Sequence, residues 1–190
     1  MNYSGQWRTN KEISFNQIST QFTYQPSNAL QLSLLPSFSV SKNKLQYVTS
    51  SIFNNNSRYI VAEIKQSTLT FPLRIDYIIK PNLSMQYWGQ PYISRGIYDN
   101  YKYITNPTAN NFDDRYTSYT NDQISFDTGT YSIDENLDKT NDYFFLQPDF
   151  SFVQWRSNLV LLCHLRKEEQ KFVYYSNTWY FTSAKQLFII

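Results

Sequence analysis

Apolar and polar residues alternate with a period of two along much of the chain. From Gln17 to Tyr24, one side carries Ile18, Thr20, Phe22 and Tyr24, and the other Gln17, Ser19, Gln21 and Thr23. Leu30, Leu32, Leu34, Phe38 and Val40 alternate with Gln31, Ser33, Ser37 and Ser39. Leu69, Phe71, Leu73, Ile75, Tyr77 and Ile79 alternate with Thr68, Thr70, Arg74 and Asp76. After Lys80-Pro81-Asn82 the pattern resumes, with Leu83, Met85 and Tyr87 set against Ser84, Gln86, Trp88 and Gln90. Trp155, Leu159, Leu161, Cys163 and Leu165 share a side, and a last run covers 172–181. Successive side chains of an extended chain point to opposite faces, so each run reads as a strand with one apolar and one polar face. Pro36 and Pro72 lie inside two of these runs. Neither has an N–H to donate, so each predicts a bulge, an edge or a break in the ladder.

The runs and their connections narrow the fold class. Most runs hold about 10–13 residues, against about 5–6 for an ordinary soluble strand and roughly 9–11 for one that crosses a bilayer. Short turns near 25–29, 80–82 and 166–171 alternate with long polar segments at about 42–66 and 94–149. Outer-membrane barrels have this arrangement, with short periplasmic turns and long external loops. The chain is therefore expected to be all-β, an antiparallel up-and-down meander of about six long strands forming part of a transmembrane β-barrel. Tyr24, Tyr77, Tyr87 and Trp88 fall toward strand ends, where an aromatic girdle sits. The competing reading is a soluble β-sandwich, which uses the same alternation to build a core between two sheets.

Composition supports strands over helices. There are 17 Tyr, 14 Phe and 4 Trp but only 4 Gly, and charged residues make up 17%, a balance that suits pleated, half-buried surfaces and not a disordered chain. The net charge of +2 comes from interspersed residues, without the basic stripe that tracks a phosphate backbone, so nucleic acid is not an expected partner. One cysteine, Cys163, excludes an internal disulfide framework, and one histidine, His164, excludes a multi-histidine metal site. No run of about 18 apolar residues provides a transmembrane helix. The N-terminus lacks signal-peptide order, so Met1 is read as the start of a fragment.

Candidate chemistry is confined to the second long segment. Asp134, Asn136, Asp138, Thr140 and Asp142 occupy alternate positions, as the oxygen ligands of a calcium loop do. Lys139 stands where the sharp turn prefers glycine, and Phe145 where a bidentate glutamate belongs. The competing reading is a solvated acidic turn. Asp113, Asp114 and Asp127 could supply a carboxylate pair for glycoside hydrolysis, which needs two groups about 5–9.5 Å apart, though Asp is also an ordinary loop residue. Tyr98, Tyr101, Tyr103, Tyr116 and Tyr119 either stack on sugar rings or tie the loop down. Cys163 and His164 point to opposite faces of a regular strand and form no local pair. Arg166-Lys167-Glu168-Glu169-Gln170-Lys171 reads as a mixed-charge turn.

Several stretches resemble one family as a set: Leu45-Gln46-Tyr47-Val48, Arg58-Tyr59-Ile60-Val61-Ala62-Glu63-Ile64, Leu73-Arg74-Ile75-Asp76-Tyr77, residues 81–92 (PNLSMQYWGQPY), Pro148-Asp149-Phe150-Ser151-Phe152 and Arg156-Ser157-Asn158-Leu159-Val160. They are similar to the C-terminal outer-membrane barrel of a large bacterial family of unknown function whose members carry an N-terminal domain like family 9 carbohydrate-binding modules. The resemblance covers about residues 13–162 and departs from the family pattern after Val160. It implies an outer-membrane location, with residues 1–190 forming a single barrel segment closed by strands outside this chain. The implied partners are outer-membrane lipid, those remaining strands, and a glycan handled by the parent protein. No catalytic role and no cofactor beyond the calcium candidate are expected. The alternatives are a soluble glycan-binding sandwich and, more distantly, part of a glycoside hydrolase.

Overall fold

The structure is a computed structural model that describes the backbone of residues 2–7, 12–165 and 169–182 and the side chains of residues 12–163. Four strand lines come first. They are β1 (Asn2–Trp7), β2 (Ile13–Ser19) prolonged by β3 (Phe22–Ser27), β4 (Leu30–Leu34) prolonged by β5 (Ser37–Phe53), and β6 (Asn56–Thr70) prolonged by β7 (Leu73–Lys80). β8 (Leu83–Ile104) is the fifth and longest. A loop follows with one 3-10 turn at Asp113–Arg115 and four short strands, β9 (Tyr116–Ser118), β10 (Ile124–Asp127), β11 (Thr130–Ile133) and β12 (Tyr143–Leu146). β13 (Phe150–Leu165) and β14 (Glu169–Thr182) complete the chain.

The long lines lie side by side in chain order, and every pairing is antiparallel. The fold is thus an all-β antiparallel meander. Among the described residues β1 and β14 are its two edges, and the expected six strands become seven lines. β1 was not among the expected strands, although Asn2, Ser4 and Gln6 alternate with Tyr3 and Trp7 on either side of Gly5.

The segment at 42–66, expected to be an external loop, is instead strand. β5 and β6 run through it and meet at Asn54-Asn55, whose φ values of 49° and 59° allow a two-residue hairpin turn. Irregularities between Asn43 and Gln46 and between Tyr47 and Thr49 shift the register. Each shift breaks the period of two that would have revealed the strand. The second expected loop, 94–149, begins late, because β8 continues to Ile104. Of the cluster at 166–171, residues 166–168 lie outside the described residues, and 169–171 belong to β14.

The prolines interrupt the ladder together. Thr20 N–H donates to the Pro36 carbonyl (3.1 Å), Leu35 N–H to Pro72 (2.9 Å) and Phe71 N–H to Pro91 (3.3 Å). Each proline lacks a donor but keeps its acceptor, so a row of single bonds crosses four adjacent lines.

Register assigns the faces, because residues directly opposite share a side. Ile18, Phe38, Leu69, Ile93 and Val153 form one row of the apolar face. Leu32, Ile75, Tyr87 and Leu159 form another nearer the short turns. Ser33, Arg74, Trp88 and Asn158 form a row of the opposite, polar face. Trp88, expected in an aromatic girdle, therefore lies on the polar side.

Burial is inverted over most of the sheet. Among the described residues, the buried side chains outside 60–64 and the loop contacts are Ser33, Ser94 and Gln154, all on the polar face. On the apolar face Phe22 is 60% and Tyr24 65% exposed, with Ile18, Leu34, Phe38, Phe71 and Tyr77 also exposed. The chain exposes 13678 Å² for a mass of 22.6 kDa, where a compact monomer of that mass exposes about 9500 Å². The conventional core is local. Ile60, Ala62, Tyr101, Ile133, Tyr143 and Phe145 are buried together where the loop lies on the sheet.

Candidate functional site

The polar face and the loop over one end of it form a single region. β6 presents Ile60, Ala62, Ile64, Gln66, Thr68 and Thr70 on this face, so its character changes from apolar to polar at Gln66. β10, β11 and β12 form a three-stranded sheet over the apolar end. Its first hairpin turns at Thr128-Gly129, with φ of 45° and 85°, where glycine tolerates the left-handed conformation. Tyr101 packs on Tyr131 (4.5 Å between centroids) and on Phe145 (5.2 Å), fastening the sheet to β8.

A polar chain secures the same cap. Arg58 Nε donates to both carboxylate oxygens of Glu135 (3.0 and 3.1 Å). Tyr143 O–H donates to Glu135 Oε2 at 2.7 Å, and Tyr119 and Tyr143 share a hydroxyl contact of 2.9 Å. Because the Tyr143 proton is engaged by Glu135, the Tyr119 hydroxyl is the donor between the two phenols. Burial raises both phenol pKa values above the ordinary range, and at Tyr143 the bond donated to Glu135 raises it further. Arg58 also lies over the Phe53 and Tyr103 rings, at 5.4 and 5.5 Å.

Beyond the cap the polar face carries short networks. Gln66 donates to Ser94 (3.0 Å), whose hydroxyl also meets Thr68 (3.2 Å). Gln17 donates to Ser37, and Arg74 holds Asp76 in a two-point contact. Gln154 Nε2 is buried without a protein partner. Tyr92 stacks on Phe152 at 5.6 Å. Gly96 faces Phe150, and a Cβ there would run into the Phe150 ring, so glycine lets that ring lie across β8. A cleft of about 390 Å³ opens between cap and networks, lined by Asn43, Gln46, Ile64, Gln66, Tyr98 and Phe150 among others. A second, of about 330 Å³, lies near the short turns beside Gln31, Asp76, Ser84 and Gln86.

The calcium-like oxygens serve their own loop. Asp134 accepts from the N–H groups of Asp138 (3.1 Å) and Lys139 (2.8 Å), and Asp142 accepts from Glu135 N–H (2.7 Å). Asp138 accepts from the N–H and hydroxyl of Thr140, and Asn136 both donates to Asp138 Oδ2 and accepts from Asp138 N–H. This is the side-chain-to-backbone bonding of an Asx turn. Among the described residues no three His, Cys, Asp or Glu side chains converge on a common metal position.

The carboxylates considered for hydrolysis are spread over different elements. Asp113 accepts from Tyr116 O–H (2.8 Å) and Asp114 from Asn111 (3.0 Å), both around the 3-10 turn. Asp127 ends β10 in the cap. Tyr116 lies under Lys102 Nζ at 4.6 Å, its pKa pushed up to about 12 by burial and by Asp113, while burial lowers that of Lys102. Of the five loop tyrosines, Tyr101, Tyr103 and Tyr119 anchor the cap, Tyr116 belongs to this outer cluster, and Tyr98 lines the larger cleft. Cys163 is a half-buried free thiol, and the side chain of His164 lies outside those described.

The residues that build the cap, Arg58, Glu135, Tyr143 and Phe145, were not among the sequence candidates. Only the density of aromatics in 94–149 pointed toward them. No family model matches this chain, and no curated protein or solved structure matches it.

Proposed function

We propose that the chain is a segment of an outer-membrane β-barrel whose polar face lines the lumen and whose cap lies in the external mouth. One observation carries the reading: the sheet buries Ser33, Ser94 and Gln154 while exposing a continuous face of Leu, Ile, Phe and Tyr. In water such a face is a large unfavourable surface, since soluble monomers rarely expose apolar patches beyond a few hundred Å². In a bilayer it is the surface required, with backbone groups satisfied between strands. A soluble sandwich needs a second sheet over that apolar face. The second sheet among the described residues, β10–β12, lies instead over the polar side.

The resemblance noted in the sequence points the same way and adds a carbohydrate-handling parent. The amide-rich cleft beside Tyr98 and Phe150 suits a polar solute or a sugar ring. Closure of the barrel requires strands or copies that pair with β1 and β14, since an open edge invites association. Expressed behind a bacterial export signal, the chain should be recovered with the outer membrane and migrate differently on gels before and after boiling. Recovery as a soluble periplasmic protein rich in β structure would overturn the reading.

A further inference from the structure

Above its apolar band, the outward face changes character in an ordered way. Ile18, Phe38, Leu69 and Ile93 form its last wholly apolar row on β2, β5, β6 and β8. The next row runs Val40, Ser67 and Arg95, and the one after it sets Lys42 directly opposite Lys65, with the exposed Ile97 on the other side of Lys65. One row further out, Glu63 faces Asp99. Lys42, Lys65 and Arg95 are all exposed. None has an ion-pair partner among the described residues, where the pairs are Arg58–Glu135 and Arg74–Asp76.

Like charges directly opposite one another on a sheet repel, with Cβ atoms about 4.5–5.5 Å apart. Lys42 and Lys65 therefore cost stability unless anions lie near them; Asp99, one row further out, is near enough to feel Lys42, while the row toward the apolar band, Val40, Ser67 and Arg95, offers none. Depth indicates where a further anion comes from. The stretch of β8 whose outward side carries no charge runs from Leu83 to Ile93, with Ile97 the one apolar residue beyond Arg95, matching the roughly 9–11 residues that carry a tilted strand through hydrocarbon. Arg95, Lys65 and Lys42 follow at the level where acyl chains give way to phosphate, and Glu63 and Asp99 come beyond it.

We propose that Lys42, Lys65 and Arg95 form a docking site for the anionic phosphate of a lipid headgroup in the external leaflet. The proposal rests on the barrel reading and deepens it by assigning a lipid partner to one patch of the wall. Three basic residues at an anionic lipid surface are worth on the order of a hundred-fold in equilibrium constant.

The test is refolding of the full chain into phosphatidylcholine vesicles with and without phosphatidic acid, followed by urea unfolding of the inserted protein. Phosphatidic acid should raise the folding equilibrium constant about a hundred-fold, with the gain shrinking as salt is added. Lys42→Gln/Lys65→Gln/Arg95→Gln should lose that gain while inserting normally into phosphatidylcholine. Lys65→Gln alone should lose a several-fold part of it, and Lys80→Gln/Lys139→Gln, a charge control elsewhere, should keep it. Equal stability in both vesicles, or a gain retained by the triple variant, would overturn the docking site and leave the barrel standing. Pyrophosphate reproducing the gain in phosphatidylcholine vesicles would assign the cluster to soluble phosphate and overturn lipid docking. Failure to insert into either vesicle would overturn both readings.

Discussion

β6 is two kinds of strand along one length. From Arg58 to Ile64 it is covered by the cap, with Ile60 and Ala62 at 0% exposure against Ile133, Tyr143 and Phe145. From Gln66 to Thr70 the same face is polar and bonds to Ser94, while Leu69 on the other side faces outward beside Phe38. The first half obeys the rule of a soluble core, and the second reverses it. Hydrophobicity alone therefore does not tell which way a strand faces. What matters is which surface has a protein partner, and on β6 that partner is the cap.

The largest effect should come from breaking the cap. Phe145→Ala removes a buried ring stacked on Tyr131 and tilted against Tyr101, and should cost about 3–5 kcal/mol of cap stability. Limited proteolysis should then cut within 119–147 while the long strands stay protected. Equal protection of both regions in the variant would mean that cap and sheet do not behave as separate layers.

The complementary change belongs on the bare face. Ile75→Arg places a charge in the row of Leu32, Tyr87 and Leu159, and should oppose bilayer insertion by about 2–4 kcal/mol while leaving cap protection in detergent intact. If Ile75→Arg inserts as well as the parent sequence, the apolar face is not the lipid face.

The smallest effect sharpens the cap itself. Asp138 is held below the ordinary carboxyl range by the Thr140 hydroxyl first and then the Thr140 N–H. Stabilisation from such a group is fully present above the unfolded value of about 3.9 and is lost as pH falls through the lower folded value. Cap protection should therefore decline on acidification through that window, and Asp138→Asn should flatten the decline. Identical profiles for both proteins would remove Asp138 from the account.

What could be read in the sequence follows from regularity. Along β2, β4, β7 as far as Tyr77, the first half of β8 and β13 as far as Leu159 the register is regular, and both faces were assigned from it correctly. Pro36 and Pro72 announced their breaks because a missing N–H has a local consequence. The 42–66 strands were hidden because register shifts after Asn43 and Tyr47 reset the alternation, and because Lys42 and Lys65 made an outward face look like a loop. The cap was hidden for another reason: Arg58 meets Glu135 across 77 positions, and no local pattern encodes a partner so distant. The alternate oxygens from Asp134 to Asp142 were visible, yet such spacing serves backbone N–H groups as readily as a cation.

The order of the long strands also bears on how the chain finds its shape. Each line pairs only with its neighbours in chain order, so the search for partners is short except at the cap and where β13 must reach β8 across the intervening loop. Closing a hairpin such as the one at Asn54-Asn55 restricts little chain, and each completed hairpin offers an edge to the segment that follows. From β1 to β8 the sheet can grow like a zip in chain order, whereas β13 must reach back to β8 and Glu135 to Arg58. By loop-closure cost, the cap and the β8–β13 pairing should both form after the local hairpins.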